Sequence, residues 1–144
     1  MRVLIALCIA MFIVWYLSEP EPETAQRVLT VDAVGLQSSE GVVRFFIYGS
    51  EDLFVADRPT LTGRLPATNQ SATWEVPGLP AGNYLVLAYH DANNNGELDK
   101  GLFRRSKERF GFSNTERSAV DGRTFKQGQF YLGEADQRVE VFLR

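Results

Sequence analysis

Pro77-Gly78-Leu79-Pro80-Ala81-Gly82, followed by Asn83-Tyr84-Leu85-Val86-Leu87-Ala88-Tyr89, is the stretch of sequence that decides the fold. Its first part contains two prolines and two glycines, which cannot continue the ladder of a central strand and therefore indicate a turn. Its second part is almost entirely apolar and short, as is typical of a strand that is buried on both faces. The stretch predicts a tight turn that leads into the central strand of a sheet.

Shorter runs of alternating apolar residues lie on both sides of this strand. Leu29, Val31 and Ala33 alternate within residues 28–34, and Val43, Phe45 and Ile47 alternate within residues 41–48. A period of two places such side chains on one face of a strand. Further strands are predicted at 60–65, 72–76, 124–132 and 138–143, and a short turn or helical bend is predicted at 52–57. About seven strands at a spacing of about 8–12 residues favour an all-β fold, a two-sheet antiparallel sandwich.

The composition limits the possible classes of function. A chain of 144 residues accommodates one domain with an N-terminal appendage, and a net charge of -3 argues against nucleic-acid binding, which needs a basic face. Cys8 is the only cysteine and lies in the apolar N-terminal run, so the folded part can form no disulfide and no cysteine-ligated metal site. His90 is the only histidine, which excludes multi-histidine metal centres. We therefore expect the protein not to be an enzyme.

The N-terminus has the form of an export segment. Residues 3–17 are uncharged and mostly apolar, Arg2 precedes them, and an acidic stretch with two prolines follows at 18–26. The run is shorter than the roughly 20 residues that span a bilayer comfortably. However, Trp15 and Tyr16 stand where a signal peptidase needs small residues. We predict that residues 1–17 are a signal peptide or a helical membrane anchor, that 18–26 are a linker, and that 27–144 form the sandwich outside the cytoplasm.

Asp91-Ala92-Asn93-Asn94-Asn95-Gly96-Glu97-Leu98-Asp99 follows the predicted central strand and carries the most readable chemistry. Calcium takes six to eight oxygen ligands, and a loop supplies them from positions one, three, five, seven and nine when a glycine at position six permits the sharp turn. Here these positions hold Asp91, Asn93, Asn95, the carbonyl group of Glu97, and Asp99. The pattern predicts a weak structural calcium site, with a dissociation constant on the order of 0.1–1 mM.

Two features separate this loop from an EF-hand and leave an alternative open. Position twelve is Leu102 instead of glutamate, and no helical pattern flanks the loop. The missing ligand would come from further along the chain, where Glu108 and Asn114 are the candidates. The alternative is a turn without metal, since Asn-Asn-Gly favours positive φ and Asp and Asn side chains bond to their own backbone.

Two rival hypotheses concern His90 and the aromatic residues. A hydrolase would use His90 with Asp91 or Glu108, but no nucleophile is placed with them, so we expect His90 to be hydrogen-bonded locally at the end of its strand. A carbohydrate- or peptide-binding domain would need an exposed platform of aromatic rings, for which the candidates are Trp74, Phe103, Phe110 and Phe112. The exposure of these rings discriminates, because aromatic residues at strand spacing usually pack in a core.

Three blocks of sequence, in order, carry a resemblance to a known family. They are Leu79-Pro80-Ala81-Gly82-Asn83-Tyr84, His90-Asp91-x-Asn93-x-Asn95-Gly96-x-Leu98-Asp99, and Phe110-Gly111-Phe112-Ser113-Asn114. With them the chain resembles domain-of-unknown-function family 2141, a family of exported bacterial proteins, over most of 27–144. The resemblance implies a seven-stranded sandwich of the transthyretin-like (prealbumin-like) or carboxypeptidase-regulatory-like kind, secreted or periplasmic, with no established activity. The chain departs from the family pattern between Asp99 and Glu108 and after Asn114, beside the predicted metal site.

The function predicted from the sequence is a binding or scaffolding module of the cell envelope, periplasmic or on the cell surface. Its structural ion would be calcium if the loop binds metal at all. Its partners would be the membrane, through residues 3–17 if they stay uncleaved, and a protein or glycan that the sequence does not identify.

Overall fold

The computed structural model describes residues 26–98, 108–114 and 125–144. The predicted N-terminal helix and all of the predicted linker except Gln26 lie outside these ranges, as do Asp99 and Phe103. No helix among the described residues is long and apolar enough to cross a membrane. The elements are, in order, β1 (Val28–Val34), β2 (Val42–Tyr48), α1 (Glu51–Val55), β3 (Leu61–Pro66), β4 (Ser71–Pro77), β5 (Gly82–Asp91), β6 (Phe110–Phe112), α2 (Phe125–Gly128), β7 (Phe130–Leu132) and β8 (Gln137–Phe142).

The described strands form two sheets, which confirms the predicted all-β sandwich. One sheet has the order β4-β1-β8, and the other has the order β3-β2-β5-β6, with β7 also paired to β5. Strands β6 and β7 share one edge of β5, since β6 pairs with residues 87–89 and β7 with residues 82–84. The long strand β5 is therefore central, as its apolar sequence predicts.

One pairing differs from the predicted antiparallel arrangement, because β1 and β8 run parallel. The other strand pairs are antiparallel. The strand before β8 is β7, which belongs to the opposite sheet, so the chain changes sheets before it reaches β1. A crossover of this kind frees the direction of the incoming strand, whereas a hairpin would force it to be antiparallel.

The core lies between the two sheets and is built by the predicted alternation. Leu29, Val31 and Ala33 of β1 are fully buried, and so are Val43, Phe45 and Ile47 of β2. The residues between them are half-buried, except for the buried Tyr48 at the end of β2. Apolar burial on these inward faces is the main contribution to the stability of such a sandwich.

Small residues make room for large rings in this core. Phe45 lies between Gly63 of β3 and Ala88 of β5 in the sheet register, and its ring packs against Trp74 at a centroid distance of 5.6 Å. A Cβ atom on Gly63 would lie 2.7 Å from the Trp74 ring, closer than side chains pack. Glycine is therefore required at the edge strand so that the indole can cover Phe45.

The described residues form eight strands, where about seven are predicted for the domain, and one predicted strand is divided. The predicted strand at 124–132 is wrong over residues 125–128, where α2 forms instead. The buried Gly128 at the end of α2 accepts a hydrogen bond from Ser113 Oγ (2.6 Å) and packs so closely on Leu85 that a Cβ atom would lie 2.8 Å from its Cδ1. The predicted bend at 52–57 is confirmed as α1, which Ser50 caps by accepting the N–H of Leu53.

Candidate functional site

The loop of residues 91–98, hereafter the Asp91 loop, folds back over the outer face of the larger sheet. Arg44 of β2 and Tyr89 of β5 are cross-strand neighbours on that face, because Phe45 and Ala88 next to them point into the core. The Tyr89 hydroxyl donates a hydrogen bond to the carbonyl oxygen of Gly96 (3.1 Å). This hydrogen bond holds the second half of the loop against β2 and β5.

The Asp91 carboxylate is fully buried and organises the loop. Its Oδ2 accepts hydrogen bonds from Arg44 Nε (2.8 Å) and from the N–H of Gly96 (3.0 Å), and its Oδ1 accepts one from the N–H of Asn95 (3.0 Å). A buried carboxylate is tolerated when it is paired with a cation and its oxygens accept hydrogen bonds. Asp91 therefore acts as an internal anchor that fixes the backbone of residues 95 and 96.

The Asp91–Arg44 pair is charged at neutral pH. Burial by itself raises the pKa of the Asp91 carboxyl, but the hydrogen bonds from Arg44, Gly96 and Asn95 and the charge of Arg44 outweigh burial and hold this pKa below its usual value. The bond to Asp91 in turn raises the pKa of Arg44. The folded state thus stabilises the ionised form of both partners.

The next two predicted ligand side chains form turns with their own backbone. Asn93 Oδ1 accepts the N–H of Asn95 (3.1 Å), and Asn95 Oδ1 accepts the N–H of Glu97 (2.9 Å). Asn94 and Gly96 have φ of 62° and 88°. These are the Asx turns and left-handed residues that the metal-free alternative predicts.

A second guanidinium group also contacts this loop. Arg64 of β3 donates a hydrogen bond to Asn94 Oδ1 (2.5 Å). The Arg44 guanidinium lies so close to Gly96 that a Cβ atom there would be 3.2 Å from Nη2. Two positive charges beside the predicted oxygen ligands of the Asp91 loop oppose the binding of a divalent cation.

The remaining predicted ligands divide between the loop and a distant position. Glu108 is buried, and its Oε1 accepts the N–H of Ala92 (3.2 Å), so the structure brings it to the loop, while its role as a calcium ligand stays a prediction. Asn114 is held elsewhere: its Nδ2 donates to the carbonyl oxygen of Gln129 (3.1 Å), and its neighbour Ser113 bonds to Val86. Val86 is five residues before Asp91 on β5, which is roughly 16 Å along a strand.

The described part of the chain contains no cluster of three or more His, Cys, Asp or Glu side chains arranged to hold a metal ion. The carbonyl group and side chain of Glu97 belong to an exposed part of the loop, and Asp99 lies outside the described residues. Among the predicted ligands, the side-chain oxygens of Asp91 and Asn93 come together most clearly, because both accept the same N–H of Asn95.

His90 is fully buried, and both of its ring nitrogens contact the connection between β1 and β2. Nε2 lies 2.7 Å from the carbonyl oxygen of Glu40 and therefore carries the proton, while Nδ1 accepts the N–H of Gln37 (3.4 Å). His90 is hydrogen-bonded at the end of its strand, but the expectation of local partners is wrong, because Gln37 and Glu40 belong to the connection between β1 and β2. The side chain holds that loop against the end of β5.

The rings of the predicted aromatic platform lie in two different places. Trp74 is half-buried and packs against the main core, whereas the half-buried Phe112 belongs to a second cluster with Phe54 on the outer face of the larger sheet. Phe110 is half-buried and packs edge-on against Phe112. The three described rings therefore do not form one exposed surface.

Sequence reasoning missed Arg44, Arg64 and Tyr89 as parts of the site. The available signal was Arg44, a charged residue within the otherwise apolar run of 42–48. On a half-buried strand face such a residue needs an acceptor nearby, and the acidic loop after β5 supplies one.

A family model described as an uncharacterized protein conserved in bacteria, DUF2141, matches residues 31–140. This match confirms the resemblance found in the three sequence blocks. Comparison with curated proteins gave no match, and neither did comparison with solved structures.

Proposed function

We propose, starting from the fact that this chain belongs to the bacterial family DUF2141, that it is a non-enzymatic binding or scaffolding module of the cell envelope. Residues 3–17 would direct it out of the cytoplasm, as a signal peptide or as a membrane anchor. The acidic linker at 18–26 would hold the sandwich away from the bilayer.

The observation that carries this proposal is that the polar groups of the candidate site are used to hold the structure. Asp91 binds Arg44 and two backbone N–H groups, and the two ring nitrogens of His90 contact backbone groups of the β1–β2 connection. Glu108 accepts the N–H of Ala92. A general base or nucleophile needs a lone pair directed at a substrate. In this proposal the hydrogen bonds of Asp91, His90 and Glu108 instead hold a rigid loop for binding.

In this proposal the Asp91 loop is stiffened by its own hydrogen bonds and by Arg44, which supplies the positive charge that calcium would otherwise bring. The convergence of Asp91 Oδ1 and Asn93 Oδ1 on one N–H favours the calcium alternative. The closeness of two guanidinium groups opposes it.

Millimolar calcium is expected to leave the melting temperature of the full chain unchanged relative to the same concentration of magnesium. A calcium site with a dissociation constant on the order of 0.1–1 mM would stabilise the fold by about 0.4–1.4 kcal/mol at 1 mM calcium. Isothermal titration calorimetry and thermal unfolding measure this directly. A rise specific to calcium that disappears in Asp91→Ala would establish the calcium site and refute the metal-free loop.

The proposed location is tested by fractionating bacteria that express the full chain. The protein is expected in the envelope fraction, and the mass of its mature N-terminus distinguishes cleavage from anchoring. Ile9→Arg is the matched control, because a charge in the centre of the apolar run costs about 2.5–3.5 kcal/mol in a membrane segment and should retain the protein in the cytoplasm. Recovery of the unmodified chain from the cytoplasm would contradict an envelope role.

A further inference from the structure

The Asn95-Gly96 pair at the centre of the Asp91 loop has the sequence that favours deamidation of asparagine. Glycine has no side chain to hinder the approach of its nitrogen to the preceding asparagine. In deamidation, the Gly96 nitrogen gives up its proton to water or hydroxide and forms a bond to the side-chain carbonyl carbon of Asn95. The side-chain nitrogen leaves as ammonia, and water then opens the resulting succinimide ring to aspartate or isoaspartate.

The structure places both reacting groups in defined hydrogen bonds. The N–H of Gly96 donates to Asp91 Oδ2 (3.0 Å), and Asn95 Oδ1 accepts the N–H of Glu97 (2.9 Å). Asn95 is exposed, so water reaches its side chain, whereas Asp91 is fully buried beneath the loop. The group that must lose a proton is therefore the one that the protein holds against a buried negative charge.

We propose that Asn95-Gly96 is a deamidation site that the Asp91 carboxylate protects. An N–H that donates to a carboxylate resists deprotonation, because the resulting anion would face a like charge and lose a hydrogen bond. Reaction then requires local opening of the loop, which occurs less often the more strongly Gly96 is bound. Arg44 contributes indirectly, since its guanidinium fixes the position of the Asp91 carboxylate.

Deamidation would change the loop both electrostatically and geometrically. It would place a second carboxylate beside Asp91, where like charges repel. The isoaspartyl product would also add a methylene group to the backbone at residue 95, which moves the acceptor now used by the N–H of Glu97. Deamidation therefore weakens the hydrogen bonds that hold residues 95–97 in place, so a modified molecule should have a more open loop.

The test follows the conversion of Asn95 by peptide mass spectrometry after incubation of the full chain in mildly alkaline buffer. Folded protein is expected to react roughly ten- to hundredfold more slowly than the chain unfolded in urea, the range supplied by a hydrogen bond to a charged group. Asp91→Asn should recover most of the unfolded rate. Asp32→Asn is the matched control, because Asp32 also pairs with an arginine, Arg138, but lies on the other sheet. Asn95→Gln should abolish the signal.

Equal rates for folded and unfolded wild-type protein would overturn the proposal, and so would equal acceleration by Asp91→Asn and Asp32→Asn, which would indicate global unfolding. If Asp91→Asn does not fold, hydrogen exchange of the wild-type Gly96 amide decides the matter. Strong protection of this amide supports control by Asp91, and exchange at the unfolded rate refutes it.

Discussion

Asp91→Ala is expected to lower the free energy of unfolding by about 3 kcal/mol, near the lower end of the range for breaking a buried ion pair. The substitution removes the acceptor of the Arg44 guanidinium and of the Gly96 N–H, while the Asn95 N–H loses one of its two acceptors and keeps its bond to Asn93 Oδ1. The Arg44 side chain is 26% exposed, so water compensates part of its loss. Urea unfolding of the variant and the wild type measures the difference.

Asp32→Ala is the control for this substitution. Asp32 also accepts hydrogen bonds from an arginine, but the side chain of that partner, Arg138, is 69% exposed. Exposed pairs contribute about 0–1 kcal/mol, so the loss should be correspondingly small. If both substitutions lower the free energy of unfolding equally, the Asp91–Arg44 pair contributes no more to stability than an exposed pair.

The effect of Asp91 should also depend on pH. Its pKa is lower in the folded state than the value of about 3.9 of an unfolded aspartate, so its contribution to stability is complete above that value and is lost as the pH falls through the folded pKa. The stability difference between wild type and Asp91→Asn should therefore be largest at neutral pH and shrink below about pH 4. A difference that is constant with pH would mean that the pKa of Asp91 is the same in the folded and unfolded states.

Phe45→Ala is expected to cost about 3–5 kcal/mol of unfolding free energy, the usual range for removing a buried aromatic ring. Phe45 is fully buried, and the ring of Trp74 rests against it. Its register neighbours Gly63 and Ala88 are too small to fill the cavity. Thermal and urea unfolding report the loss, and tryptophan fluorescence should show a more solvated Trp74.

Two substitutions give the reference scale for Phe45. Phe45→Leu keeps much of the apolar volume and should cost less than half as much as Phe45→Ala. Val55→Ala alters a side chain that is 77% exposed and should stay within about 0.5 kcal/mol of the wild type. A similar loss in Phe45→Ala and Val55→Ala would contradict the core described between the sheets.

The parts of this fold that could be predicted are those in which a local pattern determines the structure. The alternation around Val31 and Phe45 identified the inward faces of β1 and β2, and the Pro-Gly turn before residue 83 identified β5. Glu108 follows the Asp91 loop closely in sequence, and the structure brings the two together. In these cases a local physical cause, the burial of one strand face or the geometry of one turn, produces the sequence pattern.

The remaining features depend on contacts between residues far apart in sequence. Strand β8 lies parallel to β1 because of a sheet change that no local pattern shows. The helix α2 ends at Gly128, which packs against Leu85 and accepts a hydrogen bond from Ser113, and these contacts do not show in the local sequence. Arg44 belongs to the site because β2 pairs with β5 in a register that sets it beside Asp91. Each of these requires the assembled sheets, so sequence reading alone could not supply them.

The parallel pairing of β1 with β8 also governs when the domain can finish folding. Asp32 and Arg138 are in contact although 106 residues separate them along the chain. Contacts of this high sequence separation form slowly, because a long loop must close before they are made. During synthesis β1 emerges early and has one open edge until the C-terminal strand arrives. The smaller sheet is therefore completed only after the whole domain has left the ribosome.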